Sequence, residues 1–337
     1  MKVVAITGKQ KCELVEKPDP KPKDNIVVVK VHVAPMCTEY KMYKEGQVSN
    51  NLGHEAVGEV AEADPSSRVK VGDRVAVMPL DACGKCSLCA SGDYIYCKNR
   101  PDVLSKTGSE AGRATYAQYL IKQEHLLVPL PDDISYEHGG MSCCGLGPTF
   151  GAVRRMKTDA SHTVLITGMG PVGLGGVINA TYAGSRVIAV EMHPHRRKLA
   201  KELGAAEALD PNDDALSAIL DLTGGLGADK TIDCSGAVPA QRLAIEATRR
   251  RGEVAFVGEA GPLEIKVSND MIRNGLSLLG VWHWNLTDTD QMIQLIRDSG
   301  EKLDKLITHT FPMSRTQDAF ELQMTGECGK VLLNPWQ

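Results

Sequence analysis

Four cysteines lie close together in residues 83–97, which we call the four-cysteine lobe. The first three follow the pattern C-x-x-C-x-x-C at Cys83, Cys86 and Cys89, and the fourth is Cys97. Thiolates are good zinc ligands, and four of them about 2.3 Å from the ion complete a tetrahedral site. Since the protein then fills every position, we expect this zinc to be structural. An iron–sulfur cluster and a pair of disulfides are alternatives that the same spacing leaves open.

A second set of possible zinc ligands is spread more widely along the chain. Cys37 follows a predicted strand, His54 lies in a Gly-His-Glu sequence, and Cys144 precedes the second half of the chain. Three protein ligands leave the fourth position of a tetrahedral ion open for water or an alcohol, as in catalytic sites. Each residue alone is a weak signal, because a single cysteine is more often a small buried hydrophobic residue. Cys143 competes with Cys144 for the third position.

A glycine-rich turn of the pattern G-x-G-x-x-G lies between a predicted strand at Val164–Thr167 and a predicted helix. Its residues are Gly168, Met169, Gly170, Pro171, Val172 and Gly173. The first glycine permits a tight turn, the second lets backbone amides approach a pyrophosphate, and the third lets helix and strand pack closely. We therefore expect a dinucleotide to bind here. The alternative is a glycine-rich turn that binds nothing.

The residue that ends the next strand indicates which dinucleotide is preferred. Glu191 follows the predicted strand Arg186–Val190. A carboxylate there accepts hydrogen bonds from ribose hydroxyls and repels a 2′-phosphate, which favours NAD over NADP. Basic residues at 193–197, among them Arg196, offer the opposite charge beside it.

The elements that must position these residues change in character along the chain. The first half consists of predicted strands and turns, and from about Ser161 predicted strands alternate with helices. That alternation is typical of a parallel, doubly wound sheet. It includes a predicted helix at Ala240–Arg250 and a strand at Glu253–Val257, and we expect the backbone of Val257 to contact NAD. A predicted helix near Gln317–Thr325 and a closing strand belong to the tail.

Length and composition limit the classes of protein to which this chain can belong. Its 337 residues suggest two domains, and a net charge of −4 without a long basic run argues against a nucleic-acid or anionic-membrane partner. A zinc-ribbon module for nucleic acid is disfavoured on the same ground. No apolar run approaches the roughly 20 residues of a membrane span, and the start lacks the apolar stretch of a signal peptide. We therefore expect a cytoplasmic location.

The order of these signals resembles the zinc-containing medium-chain dehydrogenase/reductase superfamily over essentially the whole chain. The signals are Cys37, Gly53-His54-Glu55, Gly72-Asp73-Arg74-Val75, the four-cysteine lobe, Cys144 and the glycine-rich turn. The resemblance implies an α/β fold with a GroES-like, β-rich catalytic domain (residues 1–150 and 286–337) and a Rossmann domain with a doubly wound parallel sheet (residues 151–285). It also implies that Cys37, His54 and Cys144 hold a catalytic zinc, with Glu55 behind them or as an occasional ligand.

The resemblance implies a zinc-dependent, NAD-linked alcohol dehydrogenase with two zinc ions per chain. The Cys–His–Cys set is more similar to the alcohol dehydrogenase branch than to the polyol and threonine branches, which typically have a carboxylate where Cys144 stands. The alternative is a polyol, sugar or cyclitol dehydrogenase, favoured by the polar Glu39, Tyr40 and His283. A non-catalytic NAD-binding relative is also left open. We expect a small alcohol or polyol as the binding partner and a homo-oligomer, either dimer or tetramer.

Glu39 departs from the pattern of these relatives. It stands two residues after the first ligand, where most relatives carry a Ser or Thr that passes the alcohol's proton outward. We expect Glu39 to reach the inner pocket and to carry that proton, with burial raising its pKa toward the range of a general base. A direct zinc contact, or an outward turn toward Lys41 or Lys44, is the alternative.

Overall fold

The computed structural model describes all 337 residues, and the chain divides into two compact units. Unit 1 comprises Met1–Cys143, Asn285–Leu303 and Ile307–Gln337, and unit 2 comprises Cys144–Trp284 and Asp304–Leu306. None of the helices combines the length and apolar character needed to span a lipid bilayer.

The secondary structure comprises strands β1–β15 and helices α1–α12. The strands are β1 (Lys2–Gly8), β2 (Lys11–Glu16), β3 (Ile26–Pro35), β4 (Ala56–Glu62), β5 (Arg74–Val77), β6 (Tyr119–Gln123), β7 (Leu127–Pro129), β8 (Thr163–Thr167), β9 (Arg186–Val190), β10 (Glu207–Leu209), β11 (Ala228–Asp233), β12 (Thr248–Phe256), β13 (Ser277–Gly280), β14 (Ile307–Pro312) and β15 (Lys330–Asn334). The helices are α1 (Glu39–Glu45), α2 (Ser87–Ala90), α3 (Val103–Thr107), α4 (Tyr136–Gly140), α5 (Gly147–Arg155), α6 (Pro171–Tyr182), α7 (Pro194–Leu203), α8 (Ala215–Leu222), α9 (Val238–Glu246), α10 (Thr289–Asp298), α11 (Gly300–Leu306) and α12 (Thr316–Thr325).

Unit 1 is built on a seven-stranded sheet in the order β14-β15-β3-β4-β5-β7, with β6 also paired to β3, beside the two-stranded sheet β1-β2. Strand β3 is rich in β-branched residues and is buried along nearly its whole length, which suits a central strand. Cys37 follows the end of β3, and His54 and Glu55 stand immediately before β4. Because β3 and β4 pair antiparallel, these two places in the sequence lie at the same edge of the sheet.

Unit 2 contains a six-stranded sheet in the order β10-β9-β8-β11-β12-β13, and every pairing in it is parallel. Most residues of its central strands are buried, as expected of a sheet with helices on both faces. The carboxyl ends of parallel strands share one edge, so the segments that follow β8, β9 and β12 emerge together. Those segments hold Gly168, Glu191 and Val257.

The chain passes from unit 1 to unit 2 after Cys143. Helix α5 packs on α6, and the contact is close because Gly175 in α6 has no side chain. A Cβ at Gly175 would lie 1.8 Å from the carbonyl oxygen of Gly145. The residues after 143 therefore group with the helices of unit 2.

The predicted helix at Ala240–Arg250 is wrong at its C-terminal end. Helix α9 ends at Glu246, and β12 begins at Thr248. Here the sheet outweighs local helix propensity: the amide of Ala228 in β11 donates to the carbonyl of Ala247 (2.8 Å), and Arg249 forms a 2.5 Å ion pair with Asp229.

We predict that Gly175→Ala lowers the stability of the fold. The added Cβ meets backbone, which cannot move aside as a flexible side chain would, so the cost is about 3 kcal/mol. This outweighs the roughly 1 kcal/mol that alanine gains in helix propensity. Thermal unfolding measures the effect, and Gly170→Ala is the control, because a Cβ at Gly170 has no neighbour within 4 Å. Equal melting temperatures for Gly175→Ala and wild type would contradict the close α5–α6 contact.

Candidate metal centres and dinucleotide loop

The four cysteines of the lobe converge on one point. The Sγ atom of Cys86 lies 3.4 Å from that of Cys89 and 4.0 Å from that of Cys97. The Sγ atoms of Cys83 and Cys89 are 3.9 Å apart. Four sulfurs about 2.3 Å from a tetrahedral ion are separated by about 3.8 Å, so the donor set fits one zinc ion. All ten cysteines are free, so the alternative of two disulfides in the lobe is wrong.

The backbone conformation and backbone amides of this lobe favour metal binding. Gly84 and Gly92 have φ angles of +72° and +86°, which lets the loop wrap around a single centre. The backbone amides of Lys85 and Cys86 lower the pKa of the Cys83 thiol to about 6, which favours the thiolate that binds metal. The side-chain amide of Asn285 donates to the carbonyl of Ser91 at 2.8 Å, which fixes the lobe to a distant segment of unit 1.

A second group of ligand atoms comes from Cys37, His54, Glu55 and Cys144, all within 4.8 Å of one another. The structure thus brings together three residues predicted as zinc ligands, and the carboxylate of Glu55 joins them. Cys143 is turned away, because its thiol is buried and donates to the carbonyl of Val77 at 3.4 Å. Its backbone breaks the helical path, with φ −72° and ψ −130°, and this change of direction aims the next residue, Cys144, at the group.

Glu39 lies behind this group, and its carboxylate is fully engaged by the protein. One oxygen is 2.7 Å from Nδ1 of His54. The other accepts from the Tyr116 hydroxyl at 2.8 Å and from the amide of Cys37 at 3.2 Å. Glu39 is 7% exposed, so the alternative of an outward turn toward Lys41 or Lys44 is wrong.

The expected rise in the pKa of Glu39 is also wrong. Burial by itself raises that pKa, but the hydrogen bond from His54 and the charge of its ring, together with the Tyr116 hydroxyl, outweigh burial and bring it to about 2. For His54, whose protonated form is the charged one, burial by itself lowers the pKa. Hydrogen bonds with Cys37 and Glu39 outweigh burial and raise that pKa to about 11. The surroundings of the ring therefore stabilise positive charge.

This second group fits a zinc ion by the chemistry of its donors. With Nδ1 of His54 bonded to a carboxylate, Nε2 is the nitrogen that faces the ligand group, 4.0 Å from Glu55. A carboxylate that holds the far nitrogen of a metal-binding histidine is a recurring arrangement in zinc proteins. Thiol, imidazole and carboxylate donors in negatively charged surroundings are what zinc requires.

Glu55 is completely buried and forms a close ion pair. Its Oε1 lies 2.7 Å from Nζ of Lys330, which is also buried. Burial raises the pKa of Glu55 to about 7, although Lys330 lowers it. Removing either partner would leave an uncompensated charge in the interior, which is costly.

The glycine-rich turn has the geometry of a phosphate-binding loop. Gly168 has a φ of +84°, and a Cβ at Gly173 would lie 1.9 Å from the Gly168 carbonyl oxygen, so neither position accepts another residue without a shift. Gly170 caps the N-terminus of α6, with Pro171 at its first position and Val172 next. A Cβ at Gly170 would meet no atom within 4 Å, so the space before the helix N-terminus is open.

Glu191 contacts the same loop. Its two carboxylate oxygens accept from the amides of Met169 (2.6 Å) and His193 (2.9 Å). Arg197 is bound to Asp210 at 2.8 Å and to the carbonyl of Glu191 at 2.7 Å. The amide of Val257 donates to the carbonyl of Asp233.

A cavity of about 430 Å³ in unit 1 has His54 in its wall. Polar and charged side chains make up much of the remaining wall, among them Asp81, Arg113, Thr115 and Lys122. His283 does not line it: its ring packs in unit 2 against Gly147, where a Cβ would be 2.8 Å from the imidazole.

Sequence reasoning missed Tyr116, Lys330 and the charged residues of the cavity. Tyr116 is 77 positions from Glu39 in the chain, and no local pattern links the two. Lys330 carried a signal, since a lysine at the start of the otherwise apolar run of β15 indicates a buried ion pair.

Two family models match the chain in the expected order. Residues 23–132 match the alcohol dehydrogenase GroES-like domain, and residues 171–298 match the zinc-binding dehydrogenase domain. The expected α/β fold class, with a GroES-like domain and a Rossmann-type parallel sheet, is thereby confirmed.

Individual proteins agree with these matches. An uncharacterised zinc-type alcohol dehydrogenase-like protein of Escherichia coli is 34% identical, over 84% of this chain and 80% of its own. A sorbitol dehydrogenase of Halalkalibacterium halodurans is 31% identical, over 95% of this chain and 94% of its own. The solved alcohol dehydrogenase of Thermus sp. ATN1 has the same fold, with a TM-score of 0.88, 22% identity and 99% coverage of both chains. The chain belongs to the zinc-containing medium-chain dehydrogenase superfamily.

Proposed function

We propose that this protein is a zinc-dependent, NAD-linked dehydrogenase that oxidises an alcohol reversibly. The alcohol carbon gives a hydride to NAD⁺ and the hydroxyl gives its proton to solvent, so the products are a carbonyl compound, NADH and H⁺. The observation that carries the proposal is the convergence of Cys37, His54, Glu55 and Cys144 within 4.8 Å, with His54 in the wall of a cavity.

We assign Cys37, His54 and Cys144 as the residues that hold the catalytic zinc, and the four-cysteine lobe as the structural site. A zinc ion with an open position supplies a Lewis acid that favours loss of the alcohol's proton near neutral pH. Glu55 adds a negative charge behind the ligands, and Lys330 fixes its place. A structural ion, by contrast, needs only a closed set of ligands, which the lobe supplies.

The contacts of Glu39 favour a positioning role over the predicted proton transfer. Both of its oxygens are occupied, by His54 on one side and by Tyr116 and Cys37 on the other. In that position Glu39 keeps a proton on Nδ1 of His54 and so leaves Nε2 for the metal. Tyr116, which is fully buried, anchors Glu39.

NAD is the preferred dinucleotide in this proposal because Glu191 lies against the glycine-rich turn. Its contact with the Met169 amide places a carboxylate where a 2′-phosphate would be repelled. Arg197 is held by Asp210, so a nearby cation offsets this repulsion less than the sequence suggested.

A polyol or sugar alcohol is the second candidate for the substrate. The polar wall of the cavity, with Thr115 and Asp81 beside His54, suits several hydroxyl groups better than an apolar chain. The similarity to a sorbitol dehydrogenase supports the same class.

We predict NADH formation from members of a panel of primary alcohols, secondary alcohols and polyols, measured by absorbance. The wild-type kcat/KM should be higher with NAD than with NADP. Glu191→Ser should reduce that ratio, because the 2′-phosphate no longer meets a carboxylate. A higher kcat/KM with NADP in the wild type would contradict the role of Glu191. No turnover with any alcohol would contradict the proposed function.

If the two zinc ions have different roles, substitutions in the two ligand sets should have different effects. Cys89→Ser should lose one zinc and unfold at a lower temperature, because the binding energy of a structural zinc is also folding energy. Cys37→Ser should lose the other zinc and the formation of NADH, while its melting temperature stays near that of the wild type. Elemental analysis of purified protein and thermal unfolding measure both.

The control for these variants is Cys12→Ser, since Cys12 lies in β2 outside both ligand groups. It should retain two zinc ions. One zinc or none in folded, active wild type would contradict the assignment.

Glu39→Gln distinguishes positioning of His54 from proton transfer. The amide has one acceptor oxygen, so it cannot satisfy His54 on one side and Tyr116 and Cys37 on the other. We expect the affinity for zinc at this centre, measured by competition with a chelator, to fall about 10–100-fold. Glu45→Gln, exposed on the same helix, is the matched control and should bind zinc as the wild type does. Unchanged zinc affinity, with a loss of the acidic limb of the pH–rate profile, would instead support proton transfer.

A further inference from the structure

The cavity beside His54 contains an excess of positive charge. Its wall includes three cations and two carboxylates: Arg100, Arg113, Lys122, Asp81 and Asp102. Asp102 also caps helix α3, where it accepts from the amide of Ser105. The carboxylate that faces Arg113 and Lys122 is that of Asp81.

Lys122 is a buried cation whose nearest carboxylate is too far away for a close ion pair. It is 7% exposed, and its Nζ donates to the carbonyl of Leu80 and lies 3.7 Å from Asp81. A close, charge-assisted hydrogen bond between ammonium and carboxylate would be about 2.7–2.9 Å long. Burial accordingly lowers the pKa of Lys122 to about 8, although Asp81 raises it. A second anion in the cavity would stabilise this ammonium.

Arg113 shares the same carboxylate. Its Nη2 lies 3.9 Å from Asp81, and half of its side chain is exposed. Asp81 thus faces two cations, neither at hydrogen-bonding distance. Because guanidinium groups bind carboxylates and phosphates through two parallel hydrogen bonds, Arg113 offers an anion a donor fork at the open side of the cavity.

Thr115 supplies a polar group that the folded chain leaves unused. Thr115 is 5% exposed, and its hydroxyl has no hydrogen-bond partner. The hydroxyl lies directly against Gly53, the neighbour of His54 in the chain, since a Cβ on Gly53 would be 2.2 Å away. An unpaired buried hydroxyl costs free energy, so a ligand that bonds to it gains affinity.

We propose that the substrate alcohol carries an anionic group, a carboxylate or a phosphate, which Arg113 and Lys122 bind. The reacting hydroxyl then lies on the His54 side of the cavity, and Thr115 bonds a further hydroxyl of the same molecule. A volume of about 430 Å³ is enough for a small polyhydroxy acid or sugar phosphate. This inference rests on the proposed dehydrogenase function and narrows its substrate class.

The experiment compares matched substrates with the zinc-loaded enzyme and NAD. Each set has the same carbon chain with a neutral, a carboxylate and a phosphate end: glycerol, glycerate and glycerol 3-phosphate; erythritol, erythronate and erythritol 4-phosphate; sorbitol, gluconate and sorbitol 6-phosphate. We expect kcat/KM for an anionic member to exceed that of its neutral counterpart about tenfold or more. The better of the two anions identifies the source of the charge.

Two variants test the residues. Arg113→Gln should lower the anionic-to-neutral ratio of kcat/KM about tenfold, while Arg315→Gln, an exposed arginine paired with Asp318 elsewhere in unit 1, should keep the wild-type ratio. Thr115→Val removes a hydroxyl that has no partner in the fold, so its melting temperature should not fall. Its KM for the preferred substrate should rise about tenfold.

The outcomes separate this inference from the function on which it rests. Neutral members that react as well as anionic ones, or an Arg113→Gln ratio equal to that of the wild type, would overturn the anionic substrate and leave the dehydrogenase intact. No NADH from any member of the three sets, or from the broader alcohol panel, would overturn both.

Discussion

The carboxylate of Glu55 lies in the interior of unit 1, and a charge there is tolerable only with a close opposite charge. Lys330, the first residue of the last strand, provides that charge, with its Nζ 2.7 Å from Oε1 of Glu55. That strand pairs with β3 through Leu332 and Leu333, and the amide of Met36 donates to the carbonyl of Val331. Strand β15 thus lies beside β3 near the point where Cys37 follows β3. The ion pair between Glu55 and Lys330 thus joins the last strand to the group of possible ligands that includes Cys37.

The same requirement explains the position of Glu39. A carboxylate of such low exposure needs donors, and the nearest are the ring of His54, the hydroxyl of Tyr116 and the amide of Cys37. These three contacts leave neither oxygen free to pass a proton between a substrate and solvent. In the proposed function, Glu39 therefore acts on the imidazole of His54 and not on the substrate.

The sequence predicts the parts of this protein that depend on short spacing. The C-x-x-C pattern and the glycine-rich turn specify their geometry within a few residues, and the alternation of strands and helices predicts the parallel sheet. Partners distant in the chain are a different matter. The orientation of Glu39 depends on Tyr116, and no local pattern links the two. The lysine at the start of β15 indicates a buried ion pair, but no pattern identifies Glu55 as its partner. The predicted C-terminal end of the helix at Ala240–Arg250 is wrong for a related reason, because the pairing of β12 with β11 outweighs local helix propensity.

Two buried lysines of unit 1 show how compensation separates a structural charge from a functional one. Lys330 meets Glu55 at 2.7 Å, and both side chains are almost completely inaccessible, so the pair is satisfied within the fold. Lys122 is also buried, but Asp81 is 3.7 Å away and also faces Arg113. Burying the Lys122 ammonium therefore costs free energy that Asp81, which is distant and shared with Arg113, offsets only in part. Such a cost is recovered when an external anion enters, and Lys122, unlike Lys330, lines a cavity that one can enter.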